Sequence, residues 1–349
     1  MDKKISNKLY VYSFVMALII ALFHFGAEKT MCFTMAYKNY EELVRVSYWQ
    51  NFVTGLAGLA VGYFFLSSAF LFYYSVTEAN MWVKMKKRFA GLLIPYAIWN
   101  IIAIVVEVLA GGLKIEYQGM RWLIEKLFLD PYNGPLWFMI VLVIYLLAAP
   151  FMLKLKKYPK VLWIGLAGLY VIAFVYCACG IYKLFPLWPW WVERFVRYVP
   201  IYFTGAVVGL LKPEWVLESK LEKKSKWFAI LWIAMFLVIA LSKNSYVTWI
   251  FTALSPMVSW LALSEELFKR NVNEYFKLSF LIYATHMFWF RFVHEICRPT
   301  IGKAEIQITG AQSVMLHLLA IPITFGCVCI LYTILKRVPK LYRFLTGNR

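Results

Sequence analysis

All four histidines of the chain, His24, His286, His294 and His317, fall inside or at the edge of apolar stretches. An ionisable side chain in hydrocarbon is costly, so each is a functional candidate by default. Two spacings add chemistry. His24 and Glu28 stand four residues apart; on one helix face the carboxylate would fix the imidazole tautomer and raise its basicity, as a catalytic base requires. His286, Phe290 and His294 form a second stripe, with Arg298 one turn further on. The competing reading for any of them is an interhelical hydrogen bond, worth about 0.6 to 2 kcal/mol, and His317 is read that way.

Other residue types offer binding rather than proton transfer. Lys84, Lys86, Lys87 and Arg88 directly precede an apolar run containing Pro95 and Tyr96. Such a cluster either holds phosphates through charge-assisted hydrogen bonds or simply anchors topology. Ser67 and Ser68, in FFLSSAFL, either let helices approach closely or present hydroxyls. In NGPLWF, Asn133 to Phe138, the Gly-Pro pair breaks the chain before a helix, and Trp137 is an interface anchor or a platform under a sugar ring. Trp188, Trp190 and Trp191 pose the same choice. No metal-ligand helix, serine elbow or glycine-rich phosphate loop occurs, and the two Cys-x-Cys pairs sit in apolar runs, where packing accounts for them.

The elements that position these groups must be membrane helices. The chain has 349 residues, 62% hydrophobic and 16% charged, with mean hydropathy +0.66. That composition excludes a soluble globule, and no hydrophilic stretch reaches the roughly 50 residues of an independent domain. Ten apolar runs are candidate spans. They are Leu9–Phe25, Phe52–Tyr74, Phe89–Ala110, Leu136–Leu153, Val161–Tyr182, Tyr198–Leu211, Trp227–Leu241, Val247–Leu263, Leu278–Cys297 and Val314–Leu335. They predict an all-α, polytopic helical bundle, a single membrane-embedded domain over 1–349. Lys3, Lys4 and Lys8 precede the first run, which is read as a retained helix.

Counted on alternate sides of ten spans, Lys and Arg number 24 on the side of the termini and 13 on the other, which predicts both termini in the cytoplasm. Topology and anionic lipid thus account for the net charge of +19, and nucleic acid is not needed to explain it. In this frame His24 lies about 22 Å along its helix, in the outer half, and His286 lies nearer the midplane.

In chain order, these strings carry a family resemblance. The apolar first helix ends in His24; FFLSSAFL from Phe64 is similar to FF-x-x-S-G-F-L; KKRFAGLLIPY from Lys86 is similar to R-x-x-R-L-x-P-Y; LWF from Leu136 and YFTGAVVG from Tyr202 follow; and SFLIYATH from Ser279 is similar to S-Y-x-I-Y-x-x-H. Together they resemble the acyltransferase family 3 membrane proteins, which transfer acyl groups from coenzyme A to sugars or other exported acceptors. The resemblance implies His24 as base or acyl acceptor, Lys87 and Arg88 beside the donor, and a site position at His286. It departs at Ser13, where the family carries arginine, at Tyr10, where it carries an acid, and at Ala69, where it carries glycine.

The expected function is therefore an O-acetyltransferase of the cytoplasmic membrane. An acyl-CoA donor, acetyl-CoA in the simplest case, would dock at Lys84, Lys87 and Arg88. An exported or lipid-linked glycan would be acylated near His24, Glu28 and His286, with Trp137, Ser67 and Ser68 on the substrate. The partners implied are lipid bilayer, thioester and glycan. The alternative is a transporter or flippase of a small polar molecule that uses the same bundle without bond chemistry.

Overall fold

A computed structural model describes residues 3–110, 119–128, 130–178, 180–181, 190–217, 224–242, 244–300 and 305–347. The fold is about 85% helical. In chain order come α1 (Lys3–His24), α2 (Ala27–Met31), β1 (Thr34–Tyr37), α3 (Tyr40–Ser75), α4 (Met81–Leu109), α5 (Met120–Phe128), α6 (Trp137–Leu146), α7 (Ala149–Leu155) and α8 (Pro159–Ala178). They are followed by α9 (Trp190–Leu211), α10 (Glu214–Leu217), α11 (Ser225–Leu241), α12 (Ser245–Ala262), α13 (Ser279–Thr300), β2 (Glu305–Ile308), α14 (Gly310–Leu318), α15 (Ala320–Leu335) and α16 (Pro339–Thr346).

Among the described residues six helical stretches are long and apolar enough to cross a membrane: Lys3–His24, Tyr40–Ser75, Met81–Leu109, Pro159–Cys177, Val192–Leu211 and Gly310–Leu335. A seventh is the broken pair Gly134–Leu146 and Ala149–Leu155, bent by 46°. The chain is thus a multi-pass helical membrane protein. Where described, the ten apolar runs fall on helices, but not all meet that test. Ser225–Leu241 and Tyr246–Ala262 are shorter, and α13 is made polar by His286, Arg291, His294 and Glu295.

One helix outruns its apolar stretch. α3 has 36 residues, against the run Phe52–Tyr74, because Asn39 caps it by accepting from the Glu42 amide at 3.0 Å, and Glu41 and Glu42 favour its first turn. Glu42 also accepts from the Gly310 amide at 2.6 Å, tying α3 to the start of α14. Beside them β1 and β2 pair in parallel, Thr34 against Glu305 through Tyr37 against Ile308, a two-stranded clasp at the end of the bundle where α1 finishes.

α3 and α9 approach each other backbone to backbone. Gly205 and Gly209, four apart in GAVVG, turn bare backbone toward Leu66 and Phe70, and a Cβ on Gly205 would collide with the Leu66 carbonyl. Without a hydrophobic driving force between helices in lipid, such close approach is what favours association. Around it, Phe65, Trp137, Tyr145 and Tyr198 pack ring on ring.

α13 runs beside α1 in the same direction but starts deeper. Lys277, just before α13, places its ammonium 5.4 Å from the centre of the Tyr10 ring, seven residues into α1. That offset is about 10 Å at 1.5 Å per residue, and it carries the eighth residue of α13, His286, toward the end of α1. There its ring meets that of His24, the last residue of α1, with centroids 5.3 Å apart. The two rings therefore lie together, where counting along separate spans implied different depths.

Gly205→Val should lower stability in detergent by at least about 1–3 kcal/mol, because the added side chain meets backbone that cannot step aside. The matched control is Gly165→Ala, where nothing lies within 4 Å of the new methyl. Thermal unfolding followed by circular dichroism should show a lower midpoint for the first variant alone.

Candidate active site

A cavity of about 560 Å³ runs along one face of α1. Ser6, Tyr10, Ser13, Ile20 and His24 line it, at spacings of three, four or seven that make a single helical stripe. Ser6 to His24 is about 27 Å of helix rise, close to the roughly 30 Å of a hydrocarbon core. Arg88, Ser67 and Ser68 line the same cavity from α4 and α3, Lys277 and Glu274 line it from the segment before α13, and Pro135, Trp137 and Phe138 line it from α6 and the turn preceding it. One volume thus connects the end of the bundle rich in Lys and Arg to the end where α1 stops.

At that second end His24 is half-buried and faces the cavity. Its ring stacks on His286, centroids 5.3 Å apart and planes 29° apart. His286 is fully buried, with its Nδ1 3.1 Å from the Ile282 carbonyl. A carbonyl can only accept, so Nδ1 carries the proton and Nε2 keeps its lone pair. That Nε2 is buried with no hydrogen-bond partner among the described residues. Two adjacent imidazoles, one held in a fixed tautomer, place a basic nitrogen on the cavity wall with a second ring packed behind it.

The turn before α6 is clamped onto α13 beside this pair. Fully buried Asn100 on α4 donates to the Lys126 carbonyl at 2.6 Å and accepts from the Asn133 amide at 3.0 Å. Asn133 in turn donates to the Ala284 carbonyl at 3.1 Å, and the Tyr283 hydroxyl donates to the Pro135 carbonyl at 2.5 Å. The clamp sets Trp137 against the cavity, 7% exposed, with the Arg194 guanidinium 4.9 Å over its ring. The interface-anchor reading of Trp137 therefore gives way to a buried wall of the cavity. Arg194 also acts electrostatically on His24. Arg194 and Asn100 are not among the sequence candidates, and Asn133 figures there only as the start of NGPLWF; a charged or amide side chain in or beside an apolar run is the signal that could find them. Trp188 and the side chains of Trp190 and Trp191 lie outside the described residues.

The basic cluster divides. Arg88 lines the cavity and donates to the Ser68 hydroxyl, so Ser68 orients the guanidinium while Ser67 stays on the wall. Lys84 instead donates to the Ser75 carbonyl, closing the C-terminal end of α3. Lys87 is exposed and is not on the cavity wall. Lys84 shares a helix face with Arg88 but stands one turn nearer the start of α4, where the Ser75 carbonyl takes it, and Lys87, about 100° round the helix from Arg88, is turned to the exposed side. The free-standing cation that sequence reading overlooked on this wall is Lys277, which has no carboxylate within ion-pairing distance among the described residues.

Glu28 does not share a helix face with His24. α1 ends at His24, Gly26 adopts extended backbone before α2, and Glu28 accepts from the Met35 amide at 2.6 Å. The break separates the pair, and the carboxylate caps the clasp instead. His294 donates to the Lys29 carbonyl at 2.7 Å and lies against Cys32. His317 bridges three elements: it accepts from the Trp49 indole at 2.9 Å and donates to the Leu22 carbonyl at 2.7 Å. It is the interhelical link expected of it, and it fixes the last turn of α1 just before His24.

The family model of the acyltransferase domain, acyltransferase family 3, matches residues 8–336, nearly the whole chain. The chain belongs to that family. No curated protein and no solved structure matches it. The membership makes it a membrane acyltransferase, as its family motifs implied. In this acyltransferase the three departures are locally satisfied. Ser13 pairs with the Tyr63 hydroxyl at 3.0 Å, Tyr10 sits under Lys277, and Ala69 is fully buried in the core.

Asn133→Ala should cost about 0.5–1.5 kcal/mol, the net worth of the lost bond to the Ala284 carbonyl, which keeps its own bond within α13. Because the same bond holds Trp137 at the cavity, acyl transfer should fall further than the stability loss alone explains at temperatures well below unfolding. Unfolding midpoints and initial rates measured on one preparation separate the two effects.

Proposed function

We propose that this acyltransferase works as one catalytic unit in the cytoplasmic membrane with both termini in the cytoplasm. It moves an acyl group, acetyl in the simplest case, from acyl-CoA to a hydroxyl of an exported or lipid-linked glycan. The observation that carries the reading is the single cavity, which has Arg88 on the wall nearer the basic end and His24 at the other. The donor is made in the cytosol and the acceptor is presented outside, so the reaction requires one continuous path between two imidazoles and a phosphate-binding cation.

In this reading the thioester reaches in from the cytoplasmic end past Arg88, with Lys84 and Lys87 adding positive charge outside the mouth. Neutral His24 takes the proton from the acceptor hydroxyl as the oxygen attacks the thioester carbonyl. Arg194 stabilises the oxyanion that develops. The C–S bond then breaks, the imidazolium returns the proton to the departing thiolate, and an O-acyl ester and coenzyme A thiol leave. His286 supports this step from behind His24, its Nε2 ready to accept a hydrogen bond. Trp137 offers a face to a sugar ring, and Ser67 and Ser68 flank the incoming donor. Glu28, engaged by Met35, has no part in it.

His24→Ala should lower acyl transfer by about 10² to 10⁴, the usual worth of a positioned general base, while thioester binding is retained. The decisive measurement is mass spectrometry of envelope glycans from cells expressing the wild type, His24→Ala or neither. An acyl mass increment present only with the wild type supports the enzyme. No increment, with His24→Ala still moving labelled solute across vesicles, would establish the transporter instead.

A further inference from the structure

The basic mouth of the cavity holds an anion of its own. Glu274 lies on the cavity wall and accepts from Lys336 at 2.9 and 3.0 Å and from the Tyr332 hydroxyl at 3.1 Å. Three donor contacts converge on one carboxylate, drawn from the end of α15 to the segment before α13. Those hydrogen bonds, from Lys336 first, hold the Glu274 carboxyl below its usual range, and Glu274 raises Lys336 in return, so the pair is fully ionised at neutral pH. Beside it Lys277 has no carboxylate within ion-pairing distance among the described residues and rests over the Tyr10 ring. Tyr332 and Tyr342 meet at this mouth edge to face, 5.7 Å between centroids, and both line the cavity.

A carboxylate with a lysine and a phenol as donors, within electrostatic reach of a second lysine that forms no direct ion pair with it, is arranged as a phosphate-binding site already filled by a side chain. Both lysines and Glu274 are substantially solvent-accessible, so exchange of one anion for another involves little desolvation. An exposed ion pair of this kind is worth about 0–1 kcal/mol, and a doubly charged phosphate outcompetes it readily. The tyrosine faces add a surface on which a flat base can stack.

We infer that Glu274 is a displaceable internal anion at the mouth, and that a phosphate-bearing nucleotide thioester docks by taking Lys336 and Tyr332 from it and engaging Lys277. This deepens the donor assignment above and rests on it. It makes Lys277 and Lys336 specificity residues for a phosphorylated donor and Glu274 a latch that closes the empty mouth. The same phosphate chemistry belongs to anionic lipid headgroups, which the bilayer supplies at this depth.

The test is titration of coenzyme A, dephospho-coenzyme A and pantetheine against the full chain in phosphatidylcholine nanodiscs, by calorimetry. Glu274→Gln should bind coenzyme A about two- to fivefold more tightly, since it removes the competing charge. Lys277→Ala should bind it at least about tenfold more weakly, the worth of one charge-assisted phosphate contact. Pantetheine, with no phosphate, should bind all proteins alike. Lys336→Gln guards against a merely structural ion pair: it breaks the same bridge as Glu274→Gln but should weaken coenzyme A rather than tighten it. If wild type binds no coenzyme A, the donor reading falls. If wild type binds it and the variants leave its affinity unchanged, the latch falls and the donor reading stands. If the variants change only retention of added phosphatidylglycerol, a lipid headgroup is the ligand and the assignment to the donor is overturned.

Discussion

Hydrocarbon offers no hydrogen bonds, so every polar side chain within this bundle must find a protein partner or face a cavity. That constraint sorts the polar residues without reference to chemistry. His317 is taken at both ring nitrogens, by Trp49 and Leu22. Asn100 and Asn133 spend their amides on one another and on the carbonyls of Lys126 and Ala284. Thr285 accepts from the Trp289 indole at 3.0 Å and donates to Leu281 at 2.7 Å. Among the four imidazoles, those not given over to such links are His24, which faces the cavity, and the Nε2 of His286 behind it. These two rings are the pair best suited to proton transfer.

The paired residues are not idle in that chemistry. His317 holds the Leu22 carbonyl two residues before His24, and the Asn133 and Tyr283 bonds hold the turn that delivers Trp137. Each removes freedom from a side chain that must meet its partner within a few tenths of an ångström to be useful. The 3.1 Å contact from His286 to Ile282 does the same for a tautomer. The site is therefore supported by the same hydrogen bonds that make burial of its supports tolerable.

How far the sequence discloses this depends on the range of the interaction that decides each feature. Helical runs are local, since a stretch of apolar residues in lipid has almost no other option, and they were legible. His24 and His286 were legible too, because an imidazole in such a run stands out. Their stacking was not, because it depends on the offset of α13 against α1, which Lys277 over Tyr10 records and no single-helix count contains. Glu28 misled for the opposite reason: an i, i+4 spacing implies a face only while the helix continues, and the extended backbone at Gly26 stops it. Within Lys84–Arg88 the charges look equivalent in sequence, yet one turn of α4 separates Arg88 on the cavity wall from Lys84, which the Ser75 carbonyl takes at the end of α3.

The family arginine absent at Ser13 raises the question of how charge is managed along the cavity. Ser13 lies on its wall between Tyr10 and Ile20, and it is paired with Tyr63, whose hydroxyl also reaches the Leu9 carbonyl at 3.5 Å. A neutral hydroxyl pair satisfies that stretch completely, so no cation is missing there in the structural sense. Positive charge sits instead at other places along the path. Lys277 is at the mouth, Arg88 is held by Ser68 further in, and Arg194 stands over Trp137 within electrostatic reach of His24. In the proposed reaction the first two would draw in a phosphate-bearing donor and the third would meet the developing oxyanion. An arginine at position 13 would place a further charge on the wall between them, where its desolvation would have to be offset by a ligand that stays. With serine there, that stretch of the wall is neutral, which would suit the uncharged arm of the proposed donor.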